Sequence, residues 1–336
     1  MDRGGLSGDD EWIARYRRAR SHRHRRVLRL FRRTLLRRVG TMRPPGRALH
    51  YLQELRRRGM LHGTLRSALD DLKQFGTDGP LRYALSLAGV ETYLRVRYPA
   101  TGLTAQVRAG PYWKYWKALD AGAEDDGNFK HLASAVKPGQ TILDVGAWEG
   151  PYTLLFAGLV GEQGHVHAFE PDPRALDALR ENVKVNRLAN VTVEPRCLSD
   201  GEGSAPFYDA RGGTLGSLLK NDWVASFSQV TVETTTIDAY CRTNGVDVDG
   251  IKIDVEGAEA LVVEGARETL ARRRPWVFLE FHGMFMSAAE RQRTWARITH
   301  QAREVTFVGG QARGFAPGDH VDSLPDSYYF HVLIHY

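Results

Sequence analysis

From Gln140 to Tyr336 the chain alternates short apolar runs with stretches of helical period, an order that few architectures accommodate. "TILDVGA" is a continuous apolar strand, Tyr152–Leu159 a helix, and "HVHAFEP" the next strand. Pro173–Leu188 has a clear helical period with proline at its start, and "VTVEPRCLS" is a third strand. Residues 203–234 read as inserted hairpin material, with "SAPFYDA", "GTLGSLL" and "QVTVETT" as its strands. Helix Ile237–Arg242, strand "GIKIDVEG", helix Ala258–Ala271, strand "PWVFLEFH", helix Ala288–Arg303 and strands "EVTFVG" and "YYFHVLIHY" complete the series. Strands alternating with helices in this way predict an α/β fold, a doubly wound sheet with parallel central strands.

The chain before Gln140 differs in kind. Residues 1–60 hold 18 arginines against 5 acids, a balance of +13 in a chain of net charge +6, which leaves −7 for residues 61–336. Residues 12–38 read as a basic helix with Val27, Leu30, Phe31 and Leu35 on one face. "RPPG" at Arg43–Gly46 breaks it, and two short helices follow, around 47–58 and 64–75. "YLRVRYP" and "LTAQVRA" form a hairpin, ahead of the aromatic segment "PYWKYWKAL". The expected division is a basic helical extension over 1–60, a helical and hairpin cap region over 61–136, and the sheet-bearing domain over 137–336. Two cysteines, Cys197 and Cys241, give no disulfide framework, so a reducing, cytoplasmic setting is expected. No apolar run reaches the roughly 20 residues of a membrane span, and no apolar core follows the arginines as in a signal peptide.

The first strand runs into a glycine turn, "LDVGAWEG", with Asp144 at its end and three residues between Gly146 and Gly150. Dinucleotide folds use G-x-G-x-x-G, whose middle glycine admits a pyrophosphate to the helix N-terminus. That position is Trp148 here, which disfavours NAD or FAD. The pattern D-x-G-x-x-x-G, with an acid before the glycines, suits a cationic ligand without phosphates, and S-adenosylmethionine fits. Asp144 would place negative charge near its sulfonium and amino end, while Gly146 and Ala147 let the backbone approach. Glu170, ending the second strand before Pro171 and Asp172, is placed to accept both ribose hydroxyls. Ser199 and Asp200, at the end of the third strand, are candidates for the adenine edge.

"IKIDVEGAE" sets Lys252, Asp254 and Glu256 two residues apart at the fourth strand end, where open sheets hold their ligands. Asp254 is expected near the transferable methyl. Glu256 and Glu259 have a second reading as first-turn acids that complement a helix dipole. "FLEFH" puts Glu280 and His282 on one face of the fifth strand, and a poised imidazole is a candidate base for a hydroxyl acceptor. His165 and His167 share a strand face without the ligand pattern of zinc, and Asp254 with Glu256 lacks a third ligand, so no metal is expected. Tyr112, Trp113, Tyr115 and Trp116, interleaved with Lys114 and Lys117, either pack a helix or cover the cleft.

"LDVGAWEGPYTLLFA", "AFEPDP", "LSDGEG", "TTTIDAY" and "KIDVEGAE…VVEGARETL…PWVFLEFH" together resemble the FkbM family of S-adenosylmethionine-dependent methyltransferases, from about Lys137 to His282. The resemblance implies a class I methyltransferase fold, a mostly parallel seven-stranded sheet with helices on both faces. It also implies O-methylation of a hydroxyl on a small molecule such as a sugar, glycolipid or polyketide. Carried over at matching positions, Asp144, Gly146, Gly150, Glu170 and Asp172 would serve the cofactor, and Asp254, Glu256 and His282 the acceptor end. Trp148 departs from the family, whose members often have Asn there; its side chain is expected against the methionine portion of the cofactor. Residues 1–60 lie outside the resemblance. Their arginines fit a solvated tail, a helix lying on an anionic membrane surface, or a contact with nucleic acid or an acidic protein. Two other functions stay open: methylation of nucleic acid through the basic arm, and a catalytically silent cofactor-binding scaffold.

Overall fold

The structure, a computed structural model, describes residues 92–123, 126–210, 216–219, 227–310 and 329–336. The expected helices at 12–38, 47–58 and 64–75 lie outside the described residues, and with them the basic extension. The described residues divide into two compact units, one with 92–94 and 108–117, the other with 95–107 and the rest from Ala118 onward.

In the smaller unit, Trp113 and Trp116 of helix α1 (Trp113–Asp120) are buried, while Lys114 lies exposed with its ammonium over the Trp113 ring. Two of the four rings in the aromatic segment thus pack inward and the lysine stays in water, the ordinary partition of such a helix. The expected hairpin is present as β1 (Tyr93–Arg97) and β2 (Thr104–Arg108), a two-stranded sheet.

The larger unit is built on a seven-stranded sheet. Its strands in chain order are β3 (Thr141–Val145), β4 (His165–Phe169), β5 (Val191–Glu194), β10 (Gly250–Ile253), β11 (Trp276–Phe281), β12 (Glu304–Gly310) and β13 (Phe330–His335). Across the sheet they run β12-β13-β11-β10-β3-β4-β5. β13 lies antiparallel to both its neighbours and the other pairs are parallel. The chain leaves β3 toward β4 and β5, then returns to place β10 on the other side. That reversal makes the ends of β3 and β10 a topological switch point, where open sheets form a crevice. β3 and β10 are buried on both faces, which is why they read as unbroken apolar runs.

Helices cover the sheet and start where their capping residues dictate. α2 (Asp126–Ala135) precedes β3, and α3 (Pro151–Val160) opens on Gly150 with proline in its first turn. α4 (Pro173–Val185) is capped by the Asp172 carboxylate, which accepts the N–H groups of Arg174 and Ala175. α5 (Ile237–Asn244) is capped by Thr236, and α8 (Ala288–Ile298) by a reciprocal Ser287–Glu290 box.

Two elements depart from the sequence reading. The single strand expected over "VTVEPRCLS" is two: β5 stays in the large sheet, while β6 (Cys197–Leu198) crosses into a second one. There β6 joins β7 (Gly203–Ala210), β8 (Gly216–Ser217) and β9 (Phe227–Thr235) in the order β6-β9-β7-β8, the sheet of the inserted hairpins. The helix expected over Ala258–Ala271 is also two, α6 (Glu259–Glu264) and α7 (Arg267–Arg273). They part at Gly265 because the N–H groups of Glu268 and Thr269 donate to the Asp238 carboxylate and the Gly265 carbonyl accepts the Asp238 N–H; a Cβ on Gly265 would lie 2.1 Å from the Ser199 carbonyl oxygen.

Candidate active site

The turn after β3 is fixed from within. Gly146 has φ +75, and a Cβ on it would lie 1.7 Å from the carbonyl oxygen of Asp254, so glycine is required twice over. The N–H groups of Gly146 and Ala147 donate to the Phe169 carbonyl, that of Trp148 to Glu170 Oε2 at 2.7 Å, and that of Gly150 to the Ala147 carbonyl. A phosphate cradle needs backbone N–H groups pointing outward. Here those four point inward, which is the structural reason that a dinucleotide does not suit this loop. Trp148 has φ +51, a left-handed conformation costly for a side chain of that size, and its indole is half-buried.

Beneath the turn lies a buried charge pair. The β3–β10 register sets Lys252 beside Asp144. Asp144 is fully buried, accepts the Thr153 hydroxyl at 2.5 Å, and lies 3.5 Å from Lys252 Nζ. Burial pushes its pKa up, and Lys252 and Thr153 pull it down. Lys252 Nζ also donates to the Gly146 carbonyl at 2.7 Å, lies 3.4 Å from Asp254 Oδ2, and sits over the Tyr152 ring. Burial lowers the lysine's pKa, but Asp254, Asp144 and Glu280 outweigh it, so the ammonium keeps its charge. Asp144 is therefore placed under the loop, with its charge turned toward Lys252. Its Oδ1 makes no hydrogen bond within the described residues.

Glu170 ends the second strand as expected, and its carboxylate organises the neighbouring turns: Oε2 accepts Trp148 N–H and Oε1 accepts Asp172 N–H at 2.8 Å. A carboxylate has about four lone-pair sites, so two remain for hydroxyl donors. Burial, with the charge of Asp172, raises its pKa to about 8 against the pull of those N–H groups. Asp172 is spent as the α4 cap. Ser199 is buried with its hydroxyl on Asp200 Oδ1, and it follows β6 of the second sheet, not a strand of the large sheet. Cys197, which the sequence reading passed over, feels Glu170 directly: burial and that charge push its thiol up to about 12. The donor set around the turn is acidic, hydroxyl-accepting and closed to phosphate, and it fits a cationic nucleoside.

The ends of β10 and β11 carry the second group. Glu256 has φ +52, and Gly257 beside it φ +102. The Gly257 N–H donates to Glu259 Oε1, which also receives His282 Nδ1–H at 2.9 Å. His282 is buried, and its Nε2 lies 3.5 Å from Glu256 Oε2 and 3.5 Å from Glu280 Oε1. Glu280 Oε2 meets His331 Nε2 at 3.0 Å. Burial lowers the His282 pKa, but Glu259, Glu256 and Asp254 together raise it to about 10, so the ring holds its proton through neutral pH. Burial and the neighbouring acids Asp254, Glu280 and Glu259 lift Glu256 to about 8, against the pull of His282. The atoms able to accept a proton here are thus carboxylate oxygens, with the imidazolium among them.

The structure brings Asp254, Glu256 and His282 into one cluster, and Gly146, Trp148 and Glu170 into another, joined by Lys252. Glu259 belongs to the first cluster as the partner of His282, beyond any dipole role. Thr153 and His331 were not singled out from sequence. The Thr153 hydroxyl is ordinary in a helix, and His331 comes from the antiparallel β13, far along the chain. His165 and His167 are hydrogen-bonded to Thr192 and Tyr240. The inserted sheet reaches the site where the Ser217 hydroxyl donates to the Val255 carbonyl at 3.2 Å.

A doubly wound sheet of this strand order, with an acidic, phosphate-free nucleoside site at its switch point, defines the class I methyltransferase fold. The profile of the methyltransferase FkbM domain matches residues 144–315, just over half of the chain, and the chain belongs to that family. Its cofactor is S-adenosylmethionine. The 2-O-methyltransferase NoeI of Sinorhizobium fredii is 33% identical over 158 residues, 43% of this chain and 64% of that enzyme. A protein-L-isoaspartate O-methyltransferase of Ignicoccus hospitalis is 35% identical over 77 residues, 23% of this chain and 36% of that enzyme. The chain thus spans less than two thirds of either relative. The crystal structure of methyltransferase FkbM from Methylobacillus flagellatus superposes at a TM-score of 0.39 with 14% identity, covering 65% of this chain and 54% of that one. Among the described residues no helix is long and apolar enough to cross a membrane.

Proposed function

We propose that this chain methylates a hydroxyl of a small molecule, the acceptor end being the cluster Asp254, Glu256, Glu259, Glu280 and His282. The observation that carries this reading is the buried imidazole of His282, clamped by Glu259 and facing carboxylates, with β10 between its strand and that of the glycine turn. S-adenosylmethionine, when bound, supplies a methyl group on a sulfonium, which an oxygen nucleophile can take. Gly146, Ala147 and Trp148 shape its seat, Glu170 receives the ribose hydroxyls, and Asp144 with Lys252 fixes the floor.

The acceptor hydroxyl must lose its proton, and Glu256, ionised above its raised pKa of about 8, is the carboxylate placed to receive it. Asp254 is tied to Lys252, Glu280 to His331, and Glu259 to His282 and Gly257 N–H, whereas Glu256 has only His282 within salt-bridge reach among the described residues. His282 then balances the charge and holds Glu256 in place, so that proton transfer is a property of the pair. The reading of NoeI as a 2-O-methyltransferase supports a hydroxyl acceptor. The inserted sheet, through Ser217 at Val255, supports an acceptor pocket to which that sheet contributes. Two free cysteines support a reducing, cytoplasmic setting.

The test is methyl transfer from labelled S-adenosylmethionine to a panel of sugars, glycolipids and polyketide-type alcohols. Glu256→Gln is expected to lower turnover by about 10²–10⁴-fold while cofactor affinity holds. Wild-type activity unchanged in Glu256→Gln sinks the base assignment. Label appearing on nitrogen or carbon, and not on oxygen, sinks the acceptor class.

A further inference from the structure

Asp254, Glu280 and His282 each offer one ligand atom, and the three atoms lie within 4.8 Å of one another. Each is tied back by a different side chain. Lys252 Nζ stands 3.4 Å from Asp254 Oδ2, His331 Nε2 stands 3.0 Å from Glu280 Oε2, and Glu259 Oε1 holds His282 Nδ1 at 2.9 Å. One atom of every residue is thus spoken for, and the other is left for a shared neighbour. Metal-binding sites orient their ligands in this way, a carboxylate on the far nitrogen of the histidine above all.

Distances separate this arrangement from a plain salt-bridge network. A charge-assisted N–H to carboxylate bond closes to about 2.7–2.9 Å, as His282 Nδ1 does on Glu259. On its other side, Nε2 stops 3.5 Å short of both Glu256 and Glu280. Donors on adjacent positions of an octahedral ion with bonds of about 2.1 Å stand roughly 3 Å apart. An ion between Nε2 and Glu280 Oε1 would therefore require only a small contraction. Two carboxylates and a neutral imidazole carry the charge that balances a divalent cation. The Asp254 and Glu280 side chains keep 25% and 20% of their surface exposed, which leaves room on the cleft side for further ligands.

We propose that Asp254, Glu280 and His282 bind a divalent cation of the Mn²⁺ type, with open positions that take the acceptor's hydroxyl oxygen. Mixed oxygen and imidazole donors suit such an ion. On binding, His282 releases its Nε2 proton to solvent and keeps Nδ1–H on Glu259. The ion makes a bound hydroxyl more acidic, and Glu256, which is not a ligand, takes that proton. This use of the ion rests on the hydroxyl-methylation reading, but the site itself does not.

The experiment uses the full chain, stripped with a chelator that is then removed, and titrated with Mn²⁺ while free Mn²⁺ is read by electron paramagnetic resonance. One Mn²⁺ per chain is expected, with proton release on binding. His282→Ala and Glu280→Gln should each weaken it by about 100-fold or more, Glu259→Gln by about 10–100-fold, and Glu256→Gln not at all. Cofactor binding by each variant reports that it is folded. Failure of the wild type to take up one Mn²⁺, equal binding by the His282 and Glu280 variants, or loss in Glu256→Gln each overturns the assignment. Stoichiometric binding without methyl transfer to any alcohol leaves the ion site standing and removes the proposed acceptor.

Discussion

The turns after β3 and β10 lie side by side, and both hold a non-glycine residue in the left-handed region, Trp148 in one and Glu256 in the other. They spend that strain differently. The first directs its N–H groups inward to Phe169, Ala147 and Glu170, and becomes a rigid seat. The second has its charged side chains converge on His282, and becomes a cluster of partly exposed acids. Backbone strain of this kind costs about 1–3 kcal/mol per residue and persists where the surroundings enforce it. One local backbone geometry thus serves two arrangements, one that turns its N–H groups inward and one that gathers charged side chains.

The sharpest way to break the comparison is to add a methyl group to each turn. Gly146→Ala forces a Cβ to 1.7 Å from the Asp254 carbonyl oxygen, whereas Gly257→Ala, at φ +102, meets Phe285 Cβ at 2.7 Å, a milder overlap that a small backbone shift relieves. The first is expected to cost about 4 kcal/mol or more and to abolish cofactor binding, the second about 1–3 kcal/mol. Chemical denaturation with cofactor titration measures both; equal losses would mean the turns are equally rigid. Next in size, Lys252→Met leaves Asp144 buried without its cation, at about 3–5 kcal/mol. The double variant with Asp144→Asn is expected to recover much of that loss, and no recovery would show that Lys252 acts mainly through Asp254.

The smallest effect concerns Glu170. Its folded pKa near 8 lies above the ordinary carboxylate value of 4.5, so the folded chain binds an extra proton between those limits. The contribution of Glu170 to stability therefore falls as pH rises from about 4.5 to 8 and levels above, while that of His282, lifted from 6.5 to about 10, continues to fall; cofactor affinity rises as Glu170 ionises to accept hydroxyls. Glu170→Gln is expected to flatten the stability slope and to weaken the cofactor by about 10–100-fold, the size of hydrogen bonds to a charged group. Thermal melts and calorimetry across pH 5–9 read both trends. An unflattened slope would assign the titration elsewhere.

The order of strands and helices, the glycine turn and the strand-end acids were legible because each depends on local period or on a fixed spacing. What escaped depended on contacts distant in sequence. "VTVEPRCLS" reads as one strand, yet Pro195 and Arg196 separate two strands that pair with different partners, β4 and β9. The helix divides at Gly265 because Asp238 of α5 takes the backbone bonds that would continue it, and no helical period records that. The role of Glu259 was hidden for the same reason: its place in a first turn is unremarkable until His282 arrives from β11. His282 as a free base reflects the ordinary imidazole pKa; the convergence of Glu259, Glu256 and Asp254, which raises it, is visible only in three dimensions.

Lys252 has a consequence for the order of events. Its ammonium holds the Gly146 carbonyl of one turn and faces the Asp254 carboxylate of the other, so neither can move without altering the field at its neighbour. Sites that share a charged hinge are thermodynamically linked, and such linkage is reciprocal. Whatever factor the cofactor applies to the affinity for the acceptor, the acceptor must apply to the affinity for the cofactor. On the proposed reading, cofactor and acceptor would therefore be loaded as a coupled pair.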